Sequence, residues 1–268
     1  MAGKNESVGK TLLVAFLVCV VCGVVVATAA VSLRPVPNEN KLIDKRMNIL
    51  LAAGMYDASQ AVNEQFKSIE RKFVDIESGD YVEMPESYDQ RTAAKDPAQS
   101  ERLSGDVDIA GIKNQADVAE VYLARGDNGE LSRIILPVHG YGLWSTLYGF
   151  LALEPDANTV AGLGFYEHGE TPGLGGEVDN PKWKALWEGK KLYGDQGEVE
   201  IQVIKGTVES NTPNAEHNVD GLAGATLTSN GVSNLLRIWV RANGFGSYLY
   251  LTAQAAGRLT DATVSVES

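Results

Sequence analysis

The feature that most constrains this chain is an uncharged run of 23 residues near its N-terminus, Thr11 to Leu33, which lies between Lys10 and Arg34. A helix of this length and composition can span the hydrocarbon core of a bilayer. A cleavable signal peptide is the alternative, because Ala27-Thr28-Ala29 has the form of a cleavage site. The run is longer than the apolar region of a usual signal peptide. We therefore predict one retained transmembrane helix over residues 11–33.

The charges that flank this run leave its orientation open. Lys4 and Lys10 precede it, and four basic residues follow it before residue 47. A count of positive charges places the C-terminal side in the cytoplasm, but large domains translocate largely regardless of charge. The sequence alone therefore does not choose between the two topologies.

After the apolar run the chain is acidic and has no cysteine. The net charge is −12, and residues 1–34 hold three basic residues and one acidic residue, so the remainder carries −14. Nucleic-acid-binding domains need a basic footprint, and this class is excluded. Cys19 and Cys22 both lie inside the run, which leaves the remainder without a disulfide or a thiolate metal site. The three histidines lack the spacing of a helical metal site, so we expect no metal.

Hydrophobic periodicity predicts helices before strands. Pro35 and Pro37 stop the apolar helix. An amphipathic helix is predicted next, over residues 38–54, with Leu42, Met47, Ile49, Leu50 and Leu51 on its apolar side. The pattern then predicts a second helix over 59–69, a hairpin over 72–82 that turns at Ser78-Gly79-Asp80, and an irregular polar segment over 85–103.

From Ala116 onward the pattern favours strands. Asp127-Asn128-Gly129 is a hairpin turn signal, and Asn180-Pro181 is a helix start. The mixture of helices and adjacent antiparallel strands is typical of an α+β domain with a largely antiparallel sheet. Strands are predicted over 118–124, 131–138, 145–153, 159–166 and 199–205, and the last helix over 228–242. The predicted organisation is an N-terminal segment 1–10, a transmembrane helix 11–33, juxtamembrane helices with an irregular extension 34–115, and a domain 116–268.

A small, polar, glycine-rich stretch, residues 220–231, leads into the apolar helical pattern that begins at Val232. The first N–H groups of a helix have no internal partner and carry partial positive charge, so they bind phosphate readily. Thr226, Thr228 and Ser229 place three hydroxyl groups at this point. Ordinary helix capping by Ser and Thr is the alternative interpretation.

The same stretch resembles the attachment motif of the covalent-FMN proteins, Asp-x-x-(Ser/Thr)-Gly-Ala-Thr. Asp220, Gly224, Ala225 and Thr226 match this motif, and Ala223 departs from its usual Ser or Thr. In that family the closing Thr carries FMN through a phosphoester bond, so the resemblance implies that Thr226 is the acceptor. It also implies a flavin transferase that uses FAD as donor and Mg²⁺ as metal. A Thr hydroxyl needs an activating base, and no partnered base is evident in this chain.

This family includes the NqrC proteins of the Na⁺-translocating NADH:quinone reductases and the G-type subunits of the Rnf complexes. The anchor, Gly140-Tyr141-Gly142-Leu143-Trp144, the loop 170–175 and the stretch 224–229 occur in the order expected of NqrC. The resemblance implies an inner-membrane complex that oxidises NADH, reduces ubiquinone and exports Na⁺, with FMN on this subunit relaying electrons. It also implies a cytoplasmic N-terminus, a periplasmic FMN domain and other subunits as partners. The alternatives are an electron carrier like the G-type Rnf subunits and a membrane-anchored scaffold without a redox role.

A flavin site needs donors for the phosphate and apolar faces for the ring. The glycine-rich loops can present backbone amides to the ring edge and Trp144 and Leu174 to a face. Core packing is the alternative for Trp144, and a solvated loop carboxylate is the alternative for Glu170. No catalytic residue is assigned, and Gly140-Tyr141-Gly142 lacks the rest of a dinucleotide fingerprint. The candidate cofactor-binding residues are Thr226, Gly224, Ala225, Leu227, Thr228, Trp144, Leu143, Glu170, Thr171, Gly173, Leu174 and Gly175.

Overall fold

The structure is a computed structural model that describes residues 8–33, 35–126 and 128–257. The chain divides into two compact units, Met1–Lys45 and Arg46–Ser268. Three parts of the sequence-based predictions lie outside the described residues: most of the N-terminal segment 1–10, Arg34 at the end of the apolar run, and Asp127 in the predicted turn.

The first unit contains a long apolar helix, α1, over Val8–Leu33. Among the described residues, Val8–Ala29 is the one helix long and apolar enough to cross a membrane. Both cysteines lie on it as free, exposed thiols. A second helix, α2, covers Pro35–Ala52. The predicted amphipathic helix is thus confirmed and begins three residues earlier, because proline fits the first turn of a helix.

The second unit is built on a six-stranded antiparallel sheet with the order β2-β1-β5-β6-β7-β8. Two small pairs lie outside it, antiparallel β3–β4 and parallel β9–β10. The strands are β1 Ile69–Asp75, β2 Tyr81–Val82, β3 Ser100–Arg102, β4 Asn114–Ala116, β5 Val118–Arg125, β6 Leu131–Tyr141, β7 Thr146–Leu153, β8 Val160–Glu167, β9 Gln202–Val203 and β10 Asn218–Val219. The predicted α+β class is confirmed, and β1 and β2 carry the sheet outside the range 116–268.

Short helices complete this unit. They are α3 Val62–Gln65, α4 Gln90–Ala93, α5 Pro181–Ala185, α6 Thr226–Val240 and α7 Gly246–Ala255, together with 3₁₀ turns at Phe66–Ser68, Gly175–Asp179 and Ala215–His217. Helix α5 starts at the predicted Asn180, whose side chain accepts a hydrogen bond from the N–H of Lys182. Helix α7 has no counterpart in the sequence-based prediction.

Two sequence-based predictions were wrong in extent. The predicted helix over 59–69 is helical only through Ser68, because Ile69 starts β1 and pairs with Ala124 of β5. The predicted strand over 199–205 shrinks to the two residues of β9. In both cases pairing with a distant strand, and not the local pattern, sets the boundaries of the element. The predicted hairpin at 72–82 is confirmed, and Gly79 at its turn has a φ of 78°.

Alternation along the strands sends side chains into two apolar layers, one on each face of the sheet. One layer joins Leu136 and Leu151 to helix α6, and the other joins Phe150 to Ile49 and Leu50 of α2. Leu51, predicted on the apolar side of α2, is instead exposed.

Close contact between helix α6 and strand β6 places the start of that helix beside the loop that follows β6. A Cβ atom at Gly140 would lie 2.9 Å from Cβ of Leu235. A Cβ atom at Gly231 would lie 2.6 Å from the carbonyl oxygen of Tyr141. Only glycine permits this approach, so these two positions fix the first turns of α6 against residues 141–142.

Candidate functional site

Three segments that the sequence marked separately meet at one place. They are the β6–β7 loop, residues 142–145; the segment 168–176 after β8; and the start of α6 with the residues before it, 220–229. The side chain that touches all three is Glu170, which is only 5% exposed. The interpretation of Glu170 as a solvated loop carboxylate is therefore wrong.

Both oxygens of the Glu170 carboxylate accept hydrogen bonds. Oε1 accepts the backbone N–H groups of Leu143 and Trp144 at 3.0 Å each and that of Ser145 at 3.4 Å. Oε2 accepts the hydroxyl of Thr228 at 2.6 Å. Burial raises the pKa of this carboxyl, but the hydrogen bonds from Thr228 and the three amides outweigh burial and hold the pKa below its usual value. Glu170 is therefore ionised at neutral pH.

Backbone contacts also join the β6–β7 loop to the segment after β8. The N–H of Gly169 donates to Oγ of Ser145 at 2.6 Å, and the N–H of Glu170 donates to Nδ1 of His168 at 3.2 Å. Since Nδ1 of His168 accepts, its Nε2 carries the proton and donates to Asp179 at 2.7 Å. Ser145 and His168 were missed among the candidates, because no local pattern distinguishes them from ordinary loop residues.

Three glycines around this place leave space that a side chain would fill. A Cβ atom at Gly142 would lie 2.6 Å from Oε1 of Glu170, and one at Gly175 would lie 2.5 Å from Oγ1 of Thr228. A Cβ atom at Gly224, whose φ is 71°, would lie 3.0 Å from Cδ2 of Leu174. These positions therefore require glycine for close approach.

Helix α6 starts at Thr226, and its N-cap residue, Ala225, has no capping side chain within the described part of the chain. The first N–H groups of the helix thus remain available to a ligand. Thr226 is exposed, whereas Thr228 is fully buried and Ser229 is 4% exposed. Ser229 accepts the N–H of Leu222 at 3.1 Å. The prediction that Thr228 and Ser229 cap the helix is wrong, because both hydroxyls bond to other loops.

The remaining motif positions serve the local structure. Oδ1 of Asp220 accepts the N–H of Val208 at 2.8 Å, and its backbone carbonyl accepts the indole N–H of Trp183 at 2.8 Å. Asp220 therefore holds the loop that leads to α6. Ala223, where the family motif has Ser or Thr, is exposed.

Large apolar side chains are exposed around this place. Trp144 is 65% exposed, Leu174 is 44% exposed and Leu227, in the first turn of α6, is 60% exposed. Leu143 is also exposed, at 37%. The alternative that Trp144 packs in the core is therefore wrong.

The segment after β8 turns tightly beneath these side chains. The carbonyl of Thr171 accepts the N–H groups of Leu174 and Gly176, and Gly173 has a φ of 76°. This turn projects the Leu174 side chain toward Gly224, within van der Waals reach.

The residues at this place fit a flavin linked through its phosphate. An exposed hydroxyl, Thr226, adjoins the uncapped N-terminus of a 15-residue helix, which suits an anionic phosphate. Exposed apolar side chains on the neighbouring loops suit the flat faces of a ring. The amides of residues 143–145, expected at the ring edge, are instead engaged by Glu170.

Comparison with known proteins agrees with this fit. The FMN-binding domain family matches residues 142–241. The chain is 55% identical to the C-type subunit of the Na⁺-translocating NADH-quinone reductase of Pseudomonas aeruginosa, over 92% of this chain and 96% of that protein. It is 46% identical to the corresponding protein of Yersinia pestis, over 94% of this chain and 96% of that protein.

Solved structures of the same kind of protein share the fold. The crystal structure of NqrC from Shewanella oneidensis matches with a TM-score of 0.74 at 34% identity, over 80% of this chain and 99% of that one. The corresponding protein from Parabacteroides distasonis matches with a TM-score of 0.64 at 28% identity, over 81% of this chain and 96% of that one. The resemblance inferred from the motifs is thereby confirmed: this chain belongs to the NqrC family of Na⁺-translocating NADH-quinone reductase subunits and contains its FMN-binding domain.

Proposed function

We propose that this chain is the membrane-anchored, electron-carrying NqrC subunit of a Na⁺-translocating NADH:quinone reductase, with FMN held as a phosphoester on Thr226. The complex oxidises NADH, reduces ubiquinone and exports Na⁺ through the joint action of this chain and its partner subunits. The names of the relatives and the FMN-binding domain support this assignment. When bound, FMN supplies the ability to accept electrons and pass them on one at a time.

The observation that carries the attachment site is the contrast among three neighbouring hydroxyl groups. Thr226 is exposed at the first residue of α6. Thr228 and Ser229 are buried, and each is engaged with another loop. An enzyme that modifies the folded domain can therefore reach Thr226 and not its two neighbours.

The side chains around Thr226 have separate tasks in this proposal. The first N–H groups of α6, including those of Leu227 and Thr228, donate to the phosphate, and Gly224 and Ala225 leave space for it. Trp144 and Leu174 flank the ring, while Leu143 and Leu227 extend the apolar surface. Thr171, Gly173 and Gly175 shape the turn that presents Leu174.

Attachment needs an external enzyme. The Thr226 hydroxyl is a weak nucleophile, and within the described residues it has no hydrogen bond to a base that would activate it. We propose a flavin transferase that uses FAD and Mg²⁺. The Thr226 oxygen attacks the FMN phosphorus of FAD, AMP leaves, and the hydroxyl proton passes to the transferase.

Expression of the full-length chain with and without the transferase tests this proposal. With the enzyme, the denatured band on a gel should fluoresce as flavin, and peptide mass spectrometry should place the mass of FMN less one water on Thr226. Without the enzyme, the band should be dark. Flavin released by denaturation, or attached at Thr228, would refute the attachment. A chain that never acquires flavin would favour the scaffold alternative.

The proposed topology has a cytoplasmic N-terminus, the span formed by α1 in the bacterial inner membrane, and a periplasmic FMN domain. The apolar helix and the NqrC relatives support membrane anchoring. Protease added to intact spheroplasts should digest the domain after α1. Protection in spheroplasts together with digestion in inverted vesicles would reverse the orientation.

A further inference from the structure

We infer that Glu170 is a positioning residue that joins the start of helix α6 to the Trp144 loop, and that its carboxylate does not itself bind the flavin. The part of this inference that concerns the flavin rests on the proposed attachment at Thr226. The part that concerns the joint between loop and helix stands on the hydrogen bonds alone.

The carboxylate has little capacity left for a ligand. An ionised carboxylate offers about four lone-pair sites. Four donors occupy the Glu170 carboxylate: the hydroxyl of Thr228 and the N–H groups of Leu143, Trp144 and Ser145. A flavin atom that bonded to either oxygen would have to displace one of these donors.

The glycines on either side of the carboxylate close the space around it. A Cβ atom would lie 2.6 Å from Oε1 at Gly142 and 2.7 Å from Oε2 at Gly175. The backbone therefore approaches the carboxylate from two sides, and Glu170 is 5% exposed. A ring stacked on Trp144 cannot enter this space without moving one of the two loops.

The joint acts on the two elements that border the proposed flavin. Thr228 lies two residues after Thr226 in the first turn of α6, and Trp144 lies at the middle of the three amides that Glu170 holds. Moving the loop away from the helix leaves a buried carboxylate with lost donors, which is strongly unfavourable. Glu170 therefore fixes the Trp144 backbone relative to the attachment residue.

A flavin-free test isolates the joint. Full-length chain in detergent carries Thr226→Ala, alone or with Glu170→Ala, Glu170→Gln or, as a control, the exposed Glu188→Gln. Hydrogen exchange of the amides of residues 143–145 should accelerate at least tenfold with Glu170→Ala and less with Glu170→Gln, which keeps one acceptor oxygen. Exchange in strand β7 should not change, which shows that the sheet remains folded. Glu188→Gln should match its parent.

A second test uses the flavin-loaded chain. Thr228→Val removes the hydroxyl donor at nearly the same volume, and Thr228→Ser restores it. Visible circular dichroism and the flavin reduction potential should change with Thr228→Val and Glu170→Gln and recover with Thr228→Ser, while mass spectrometry still finds FMN on Thr226. A purely structural role would alter thermal stability but not the flavin signals.

Two results would overturn the inference. One is unchanged exchange of residues 143–145 in Glu170→Ala. The other is unchanged dichroism and potential in both Glu170→Gln and Thr228→Val. Because the exchange experiment contains no flavin, and mass spectrometry scores attachment separately, a failure of the attachment proposal is distinguishable from a failure of this one.

Discussion

Thr226 and Thr228 lie two residues apart in the first turn of α6, yet Thr226 is exposed, while the hydroxyl of Thr228 is buried and donates to Glu170 at 2.6 Å. Burial thus separates two chemically identical side chains into a candidate flavin acceptor and a structural donor. Sequence alone does not make this separation, because both residues follow the same glycine-rich stretch.

We expect Thr226→Ala to give a folded, colourless chain. The side chain is exposed, so the free energy of unfolding should change by no more than about 0.5 kcal/mol. Thr228→Ala should keep the flavin but cost roughly 1–3 kcal/mol, because it removes a donor from a buried carboxylate. Flavin fluorescence after denaturation and urea unfolding measure the two effects. Covalent flavin on the Thr226→Ala chain would contradict this prediction.

Trp144→Ala and Leu174→Ala should each shift the flavin absorption spectrum or reduction potential and leave attachment largely intact. Both side chains are exposed at the proposed ring site, so their loss changes the surroundings of the ring and not the core. Leu186→Ala, which removes an exposed leucine after α5, is the matched control. Identical spectra and potentials in both site variants would show that the ring lies elsewhere.

Arg71→Ala should destabilise the domain by roughly 3 kcal/mol and expose residues 85–94 to protease. Arg71 pairs with Glu120, whose side chain is 3% exposed, at 2.7 Å. It also donates to the carbonyls of Glu86 and Tyr88. Loss of one partner leaves a buried charge without its counter-ion, which is the costly case.

The neighbouring Lys72→Ala is the control for Arg71→Ala. Lys72 pairs with Glu70 at the surface, where both side chains are at least 40% exposed, so its loss should have little effect. Thermal melts and limited proteolysis compare the two variants. Equal stability of the two would mean that the Arg71–Glu120 pair does not hold this segment.

His139 should make the domain less stable as the pH falls from about 6.5 to about 4. Burial, followed by the charge of Arg91, lowers the pKa of this imidazole from 6.5 to about 4. In that window the unfolded chain binds a proton that the folded chain does not, so the free energy of unfolding falls by at most about 1.4 kcal/mol per pH unit.

The variant His139→Phe keeps a ring between Tyr148 and Trp239 but cannot titrate. Its free energy of unfolding should therefore vary less steeply with pH between 4 and 6.5. Urea unfolding of both proteins at several pH values measures the two slopes. Equal slopes would show that His139 does not control the acid stability of the fold.

Local pattern predicted most of the fold. Alternation identified β5 to β8 to within a few residues, since each strand buries one or both faces. It failed for residues 59–69, where an apolar spacing that also suits a helix belongs partly to β1. The pairing of Ile69 with Ala124 joins residues far apart in the chain and leaves no trace in a local window.

The sequence by itself determined the apolar anchor, the α+β class, the position of α6 and the set of segments that form the site. These depend on composition and short-range periodicity, which each segment carries alone. The tertiary structure decided that Glu170 is buried, that Trp144 is exposed and that only Thr226 among three neighbouring hydroxyls is accessible. Burial and hydrogen bonding depend on which distant segments meet, and Thr228 meets Glu170 across 58 residues of chain.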